Sequence, residues 1–210
     1  MTYFRVAVFA SHTGTNLRAL HHASLETDAA FRISLVVSNN RESGALAYAR
    51  ACSIPFAHMS GVTHPDPVQL DAAICSHLDN HEINLIVTAG YMKKIGPRTL
   101  ESYADRIINV HPSLLPRHGG KGMYGRAVHE AVLASDDHVS GVSVHVVTAE
   151  YDDGPVIGRR VVAVEPDDTV ERLSQRVLKA EHLLLPEVVQ DLAMRAAGQW
   201  RADGTKRSRT

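Results

Sequence analysis

The chain begins with a repeating pattern, in which short apolar runs alternate with segments that carry apolar residues at helical spacing. The run 5–9 is largely apolar, and it is followed by Leu17, Leu20 and Ala23 on one helical face. The run 85–89 is apolar almost throughout, which indicates a strand buried on both faces of a parallel sheet. By the same pattern we expect strands at 5–9, 33–38, 55–59, 85–89 and 107–111, and helices at 17–23, 45–51, 68–78 and 97–103.

The pattern changes in the last third of the chain. A predicted helix at 124–134 is followed by a segment in which Val142, Val144 and Val146 alternate with other residues, and a further strand at 156–164 comes after a turn. Two consecutive strands with no helix between them indicate antiparallel pairing. The sequence therefore predicts an α/β fold: a Rossmann-like open sheet, mostly parallel, with an antiparallel C-terminal extension and helices on both faces.

The last predicted helix runs from 169 to 192, with Thr169 as its N-cap and Pro186 as a point where it bends or splits. Beyond this helix the apolar periodicity lapses and basic residues accumulate. We expect residues 1–192 to form a single domain and residues 193–210 to form a basic, disordered tail.

Composition places the protein among ordinary globular proteins. Of its 210 residues 44% are hydrophobic and 21% are charged, and the formal net charge is −1. Because the chain has no excess of positive charge to attract a polyanion, nucleic acid is not expected as a partner. No apolar run approaches the roughly 18 residues of a membrane span, so no membrane association is expected.

The two cysteines, Cys52 and Cys75, lack the spacing of zinc sites and the density of disulfide scaffolds. Both fall on predicted helices among small apolar residues, where we expect them to be buried. The sequence therefore favours a reducing cytoplasm as the location of the protein, and no metal is expected.

Four loops at the predicted carboxyl ends of strands carry polar residues, and ligands of open α/β sheets bind at this edge. The first loop places Gly14, Thr15 and Asn16 before a helix whose free N–H groups suit one phosphate. Taken alone, this pattern slightly favours an ordinary capped helix start. Neither the dinucleotide fingerprint nor the Walker P-loop is present, so a monophosphate fits better than NAD or ATP.

The second loop follows the strand 107–111, in which Asn109 and His111 are two residues apart and therefore lie on one face. An amide donor beside an imidazole suits the stabilisation of an oxyanion and the transfer of a proton. The third loop carries Asp152, a carboxylate that would orient or ionise His111 if the fold brings the two together. The alternative is a histidine that ends a strand and an aspartate favoured by turn geometry.

The fourth loop, 90–95, combines apolar residues with Lys93 and Lys94, which suits a flat heterocycle with a carboxylated tail. A charged loop with no role is an equally plausible interpretation. Ser143 and His145 fall in a predicted strand, and we expect both to be structural.

Together these loops resemble the phosphoribosylglycinamide formyltransferases of the folate-dependent formyltransferase superfamily, over roughly residues 5–189. The segment 109–116, Asn-Val-His-Pro-Ser-Leu-Leu-Pro, is shared across that superfamily and indicates formyl transfer without specifying the acceptor. The tripeptide 14–16, Gly-Thr-Asn, is similar to the Gly-Ser-Asn with which the family holds the substrate phosphate.

The resemblance implies a role for each of a set of residues. Asn109, His111 and Asp152 would be catalytic, and Glu181 would contact the ribose. The phosphate would be held by Gly14, Thr15 and Asn16, and the folate by Met92, Lys93, Lys94, Ile95, Asn109, Thr148 and Asp152. Three positions depart from the family pattern and concern the folate contacts. Asp153 stands where many members have glycine, and Lys93 stands where arginine is common. Pro67 lies near the position at which some members have a folate-contacting arginine.

The reaction implied by the resemblance is direct transfer of the formyl group of 10-formyltetrahydrofolate, a co-substrate, to the glycine amine of glycinamide ribonucleotide. Asn109 and a protonated His111 would donate hydrogen bonds to the formyl oxyanion, while Asp152 would favour the charged imidazole and help move the proton. One alternative is a formyltransferase that acts on another small amine, such as an amino sugar nucleotide. Another is a non-catalytic folate- or nucleotide-binding protein. The sequence leaves a homodimer open.

Overall fold

The computed structural model describes the backbone of residues 3–207 and the side chains of residues 3–198. The strands are β1 (Phe4–Phe9), β2 (Phe31–Ser38), β3 (Phe56–His58), β4 (Leu85–Thr88), β5 (Ile107–His111), β6 (Val139–Val146) and β7 (Val156–Ala163). The helices are α1 (Thr15–Ser24), α2 (Gly44–Ala51), α3 (Pro67–Asn80), α4 (Pro97–Ser102), α5 (Arg126–Leu133) and α6 (Val170–Arg207).

The seven strands form one sheet in the order β3-β2-β1-β4-β5-β6-β7. The first five are parallel, whereas β6 pairs antiparallel with β5 and β7 antiparallel with β6. The predicted open sheet with an antiparallel extension is therefore confirmed. The chain progresses towards one edge from β1 to β3 and towards the other from β4 onward, and this switch between β1 and β4 creates a crevice at their carboxyl ends.

The central strands are largely apolar because helices cover both faces of the sheet. On one face, Val6 and Val8 of β1 pack into a core with residues of α1, α2 and α6. On the other face, Ala7 and Phe9 pack into a second core with residues of α3. Alternate residues of one strand thus fill two different cores, and β1 is held rigidly where it ends at the crevice.

Helix α6 is longer than the sequence pattern predicts. It continues through Pro186 and past Leu192 to Arg207, so the backbone of 193–207 is helical where a disordered tail is expected. The alanine-rich composition of 193–197 favours helix, so the helix continues beyond the end of the regular apolar pattern. Residues 208–210 lie outside the described residues, and the division between a domain at 1–192 and a tail stays a prediction.

The two cysteines differ in environment: Cys75 is buried as expected, but Cys52 is exposed at the C-terminal end of α2. Ser143 has the structural role expected of it, because its hydroxyl accepts from the backbone N–H of Leu115 and donates to the carbonyl of Ser113. Within the described residues, no helix is both long enough and apolar enough to cross a membrane.

Candidate active site

A cavity of about 780 Å³ opens at the carboxyl ends of β1, β4 and β5. Every residue that the sequence analysis assigns to a site lines it: Gly14, Thr15, Asn16, Met92, Lys93, Lys94, Ile95, Asn109, His111, Thr148, Asp152 and Glu181. The four loops and Glu181 of α6 therefore converge on one site, in which Asn16 and Glu181 are 165 residues apart along the chain.

The N-terminus of α1 faces this cavity and is available to an anion. Gly14 precedes the helix with a left-handed φ of 73°, and no side chain caps the helix start. The first intrahelical bond runs from Arg18 N–H to the Gly14 carbonyl, so the N–H groups of residues 15–17 have no partner within the helix. A side chain at residue 14 would also meet Ala45 at 2.9 Å. Glycine is therefore required here by both backbone conformation and packing.

Asn16 and Glu181 join α1 to α6 at the side of the cavity. The Asn16 side chain donates a 2.6 Å hydrogen bond from Nδ2 to Oε2 of Glu181, and both residues are buried. The Oδ1 atom of Asn16 is buried and has no hydrogen-bond partner among the described residues. Burial raises the pKa of Glu181 to about 7, although the hydrogen bond from Asn16 acts in the opposite direction. The Oδ1 atom of Asn16 and the Glu181 carboxyl group, whose pKa is about 7, thus lie side by side.

The loop between β4 and α4 supplies a second wall, with Ile95 buried and Met92, Lys93 and Lys94 exposed. Its beginning is tied to the first loop, because the Met92 N–H donates to Oγ of Ser11 at 2.8 Å. The Lys94 ammonium lies 5.5 Å from the centre of the Tyr151 ring. The wall is therefore apolar at its base and cationic at its rim.

Asn109 is held in a fixed orientation by its neighbours on both sides. Oγ1 of Thr88 donates to Oδ1 of Asn109 at 2.8 Å, so Nδ2 must point the other way, where it lies 3.0 Å from Nε2 of His145. Nδ1 of His145 lies 3.0 Å from the carbonyl of Val146, and a carbonyl only accepts, so Nδ1 carries the proton and Nε2 of neutral His145 accepts from Asn109. One of the two N–H groups of the Asn109 amide remains free for a ligand.

His111 and Asp152 lie next to each other, which is the condition under which the sequence analysis gives the Asp152 carboxylate a role. Nδ1 of His111 is 3.5 Å from Oδ2 of Asp152, and Nε2 of His111 is 2.9 Å from the carbonyl of His118, to which it donates. The N–H of Gly120 donates to the same Asp152 oxygen at 2.9 Å. Nε2 therefore carries a proton in neutral His111, and the lone pair is on Nδ1, beside the carboxylate.

The pKa values of this pair are shifted by burial and by each other. Burial lowers the pKa of His111 below its usual value, and it outweighs the raising effect of Asp152. Burial alone would raise the pKa of Asp152, but its contacts with the His145 and His111 rings bring it below its usual value. The lowered pKa of His111 favours a neutral imidazole beside an ionised carboxylate, whereas the resemblance implies a protonated His111, and the protonation state during the reaction stays a prediction.

His145 is the main site residue that the sequence analysis missed. It was expected to be structural, but Asn109 and His145 are directly opposite in the β5–β6 pair, and Nε2 of His145 lies 3.4 Å from Oδ1 of Asp152. The alternation that places Asn109 on the ligand side of β5, combined with antiparallel pairing, was the available signal. His118 and Gly120 act through backbone atoms, for which side-chain identity carries no signal.

The arrangement combines an oriented amide donor, a buried proton acceptor paired with a carboxylate, and an anion site, all in one cavity. This set suits transfer of an acyl-type group to an amine on an anionic substrate. Among residues 3–198, no cluster of three or more His, Cys, Asp or Glu side chains could hold a metal ion.

Comparison with known proteins agrees with this chemistry. A family model described as formyl transferase matches residues 4–189. The chain is 38% identical to a chloroplastic phosphoribosylglycinamide formyltransferase of Vigna unguiculata over 95% of this chain and 64% of that protein, and thus spans about two thirds of that relative. It is 34% identical to the phosphoribosylglycinamide formyltransferase of Bacillus subtilis over 90% of this chain and 94% of that protein.

The fold comparison gives the same result. The crystal structure of glycinamide ribonucleotide transformylase 1 from Symbiobacterium toebii matches with a TM-score of 0.85 and 33% identity, over 91% of this chain and 88% of that one. A family match across almost the whole sheet, together with relatives of this similarity, leaves one conclusion: the chain belongs to the formyl transferase family.

Proposed function

We propose that this protein transfers the formyl group of 10-formyltetrahydrofolate to the glycine amine of glycinamide ribonucleotide, a reaction of purine biosynthesis. The observation that carries the proposal is the convergence of Asn109, His111 and Asp152 in a cavity that also contains the uncapped start of α1. Relatives whose names describe this reaction support the choice of acceptor.

The phosphate of the acceptor binds at the N-terminus of α1 in this proposal. Three backbone N–H groups and the positive end of the helix dipole stabilise a dianionic group there. The ribose hydroxyls then donate to the Glu181 carboxylate and to Oδ1 of Asn16, the buried acceptor that has no partner in the part of the chain that the structure describes.

The folate lies along the wall formed by Met92, Lys93, Lys94 and Ile95, with Thr148 lining the same cavity. The apolar side chains pack against the flat pterin, and the two lysines attract the carboxylates of its glutamate tail. The cavity of about 780 Å³ falls within the range of sites that enclose ligands of this size.

The reaction begins when the unprotonated amine attacks the formyl carbon and negative charge develops on the formyl oxygen. The free N–H of the Asn109 amide donates to that oxygen, and its orientation is already fixed by Thr88 and His145. A donor that needs no reorganisation during the reaction stabilises the tetrahedral intermediate more effectively than water does.

The proton leaves the attacking nitrogen through His111 and Asp152. Nδ1 of neutral His111 accepts it, directly or through one water molecule, and Asp152 stabilises the imidazolium that forms. The intermediate then collapses: the bond from carbon to N10 of the folate breaks, and N10 receives a proton in exchange. The products are formylglycinamide ribonucleotide and tetrahydrofolate, so atoms and charges balance.

An acceptor competition assay tests the proposal. The purified protein is incubated with 10-formyltetrahydrofolate and either glycinamide ribonucleotide, an amino sugar nucleotide or no acceptor, and both the formylated product and tetrahydrofolate are measured. We expect product with glycinamide ribonucleotide alone. Formylation of the amino sugar nucleotide, and not of glycinamide ribonucleotide, would show that the proposed acceptor is wrong. Binding of the folate without any turnover would identify a non-catalytic binding protein.

The cytoplasmic location, the lack of a nucleic-acid partner and the homodimer stay predictions of the sequence. Size-exclusion chromatography coupled to light scattering measures the assembly directly.

A further inference from the structure

The segment 117–120 contacts both members of the His111–Asp152 pair through its backbone. The carbonyl of His118 accepts the hydrogen bond from Nε2 of His111, and the N–H of Gly120 donates to Oδ2 of Asp152. A displacement of this short segment therefore changes both partners at once. The geometry of the pair therefore depends on the contacts that hold the segment 117–120 in place.

The backbone at His118 is in the left-handed region, with a φ of 53°. A residue with a Cβ adopts this conformation at a cost of about 1–2 kcal/mol, so it persists only where other contacts favour it. The ring of His118 supplies such a contact, because its Nε2 lies 2.8 Å from Oδ2 of Asp137. The side chain of Asp137 is only 7% exposed, which shields this contact from water.

The geometry points to Asp137 as a positioning residue for the proposed formyl transfer: by holding the His118 ring, it keeps the His118 carbonyl against Nε2 of His111. That carbonyl fixes the neutral tautomer of His111 with its lone pair on Nδ1, the nitrogen beside Asp152. Asp137 acts without touching a substrate, because it lies in the connection between α5 and β6, outside the residues that line the large cavity. The inference rests on the function proposed above.

The tautomer matters because only the nitrogen without a proton accepts one. If the carbonyl of His118 moves away, Nε2 loses its acceptor, and the proton of neutral His111 is free to occupy Nδ1 opposite Asp152 instead. The imidazole would then have no lone pair facing the carboxylate, and proton transfer at that atom would stop. Loss of the orienting partner of a catalytic histidine has this effect in other enzymes.

Asp137 has charged and polar neighbours on each side. Arg117 pairs with its other oxygen, Oδ1, and the ring of His118 faces Oδ2. The hydrogen bond from His118 lowers the pKa of Asp137 below its usual value, and a further bond from Ser135 acts in the same direction. Asp137 is therefore ionised at neutral pH, and it can hold either the neutral or the charged form of the His118 ring.

The polar groups around His111 are Asp152, the carbonyl and ring of His118, the ring of His145 and, on α5, the buried ring of His129. Of these, only His118 is contacted by Asp137, so a change at residue 137 reaches His111 through this one contact.

The hydroxyl of Ser113 also holds the segment 117–120, and it limits how far the segment moves when Asp137 is lost. Oγ of Ser113 donates to the carbonyl of Arg117 at 2.7 Å and also lies 3.5 Å from the carbonyl of His118. This bond anchors the beginning of the segment to the end of β5, whereas the Asp137 contact fixes the rotation of the next residue. We therefore expect loss of Asp137 to loosen the His118 carbonyl without unfolding the loop.

The matched pair of variants is Asp137→Ala and Arg117→Ala. Both abolish the Arg117–Asp137 ion pair, but only Asp137→Ala also releases the His118 ring, and Arg117 is 67% exposed. For Asp137→Ala we expect kcat to fall by about 10- to 100-fold with KM for both substrates changed less than threefold, as for loss of other orienting partners. Arg117→Ala should keep kcat within twofold of the parent protein.

Two further variants separate positioning from a general effect on stability. Asp137→Asn keeps an oxygen that accepts from a neutral His118 ring, so it should recover most of the lost kcat. His118→Ala should lose as much kcat as Asp137→Ala, and the double variant should lose no more than either single variant, because both act through one contact. Additive losses, or an equal loss in Arg117→Ala, would overturn the inference.

A spectroscopic readout makes the result independent of the assigned reaction. Nitrogen-15 NMR of protein labelled at histidine reports which ring nitrogen of His111 carries the proton. We expect the Nε2–H form in the parent protein and in Arg117→Ala, and a mixture of tautomers in Asp137→Ala. An unchanged His111 signal in Asp137→Ala overturns the inference whether or not the protein transfers formyl groups, and a changed signal in an inactive protein overturns only the proposed function.

Discussion

Nδ2 of Asn109 lies 3.0 Å from Nε2 of His145, across the antiparallel pair formed by β5 and β6. The switch from parallel to antiparallel pairing therefore has a chemical consequence. It places a histidine from a later strand directly opposite the amide that donates to the substrate. Together with Thr88 on the parallel side, His145 orients the amide before any ligand binds.

Asn109→Ala should reduce kcat by about 10²–10³, the usual effect of removing one oxyanion donor. KM for both substrates should change little, because the lost bond is strongest in the transition state. Steady-state kinetics with glycinamide ribonucleotide and 10-formyltetrahydrofolate measures both constants.

The controls for this variant are at Thr88. Thr88→Val removes the hydroxyl that orients Asn109 and should lower kcat by about tenfold, as a loss of preorganisation, whereas Thr88→Ser keeps the hydroxyl and should stay near the parent value. Equal activity of the valine and serine variants would contradict the role given to this contact.

Asp152→Asn should lower kcat by at least about 100-fold, because the imidazolium formed on His111 loses its ionised partner. The variant should also change the pH profile. Proton acceptance needs neutral His111, so activity falls as pH drops through the His111 pKa, which burial places below the usual 6.5. Since Asp152 raises that pKa, its loss should move the acid limb of kcat/KM to still lower pH. A shift towards higher pH would contradict the assignment.

Gly14→Ala should destabilise the fold and weaken binding of the acceptor phosphate. The substitution combines a φ of 73° with a 2.9 Å approach to Ala45, so the start of α1 must move. We expect the free energy of unfolding in urea to drop by about 1–3 kcal/mol and KM for glycinamide ribonucleotide to rise. Gly61→Ala is the matched control, because nothing lies within 4 Å of its added Cβ.

Glu181→Gln should remove a pH dependence of stability. Burial raises the folded-state pKa of Glu181 from 4.5 to about 7, so the folded protein binds this proton more tightly than the unfolded chain does. The resulting stabilisation is complete below pH 4.5 and is lost as pH rises to about 7. We expect the decrease in unfolding free energy between pH 4.5 and 8 to be smaller in the variant by about 3 kcal/mol.

The same helix offers a control for this measurement. Glu187 is exposed and pairs with Arg160, so Glu187→Gln should leave the pH dependence of stability as it is in the parent protein. If the unfolding free energy of Glu181→Gln depends on pH as that of the parent protein does, burial does not perturb the Glu181 carboxyl group.

Asp71→Ala should destabilise the start of α4, the helix that follows the cavity wall formed by residues 90–95. The buried carboxylate accepts from the N–H groups of Arg98 and Thr99 and from the Thr99 hydroxyl. Loss of three bonds at a buried helix start should cost about 2–4 kcal/mol in urea unfolding. Asp66 caps the exposed start of α3 with similar bonds, and Asp66→Ala should cost clearly less.

Much of the site could be predicted because its residues are placed by strand periodicity. Asn109 and His111 are two apart on a buried strand, and Gly14 comes between a strand and a helix, so the common edge of a parallel sheet brings them together. The contact of Asn16 with Glu181 spans 165 residues, and no local pattern connects them. Glu181 entered the sequence analysis only through resemblance to a family, as a residue that would contact the ribose, and its contact with Asn16 was not predicted.

The order of hydrophobic and polar residues by itself determined the succession of strands and helices, the two-sided burial of the central strands and the loops that carry the chemistry. Only the tertiary structure decided that His145 belongs to the site, that His118 contributes a carbonyl, and that burial lowers the pKa of His111. The reason is physical: periodicity is a local property of the chain, whereas burial, cross-strand pairing and the partner of each ring nitrogen depend on segments that meet only after folding.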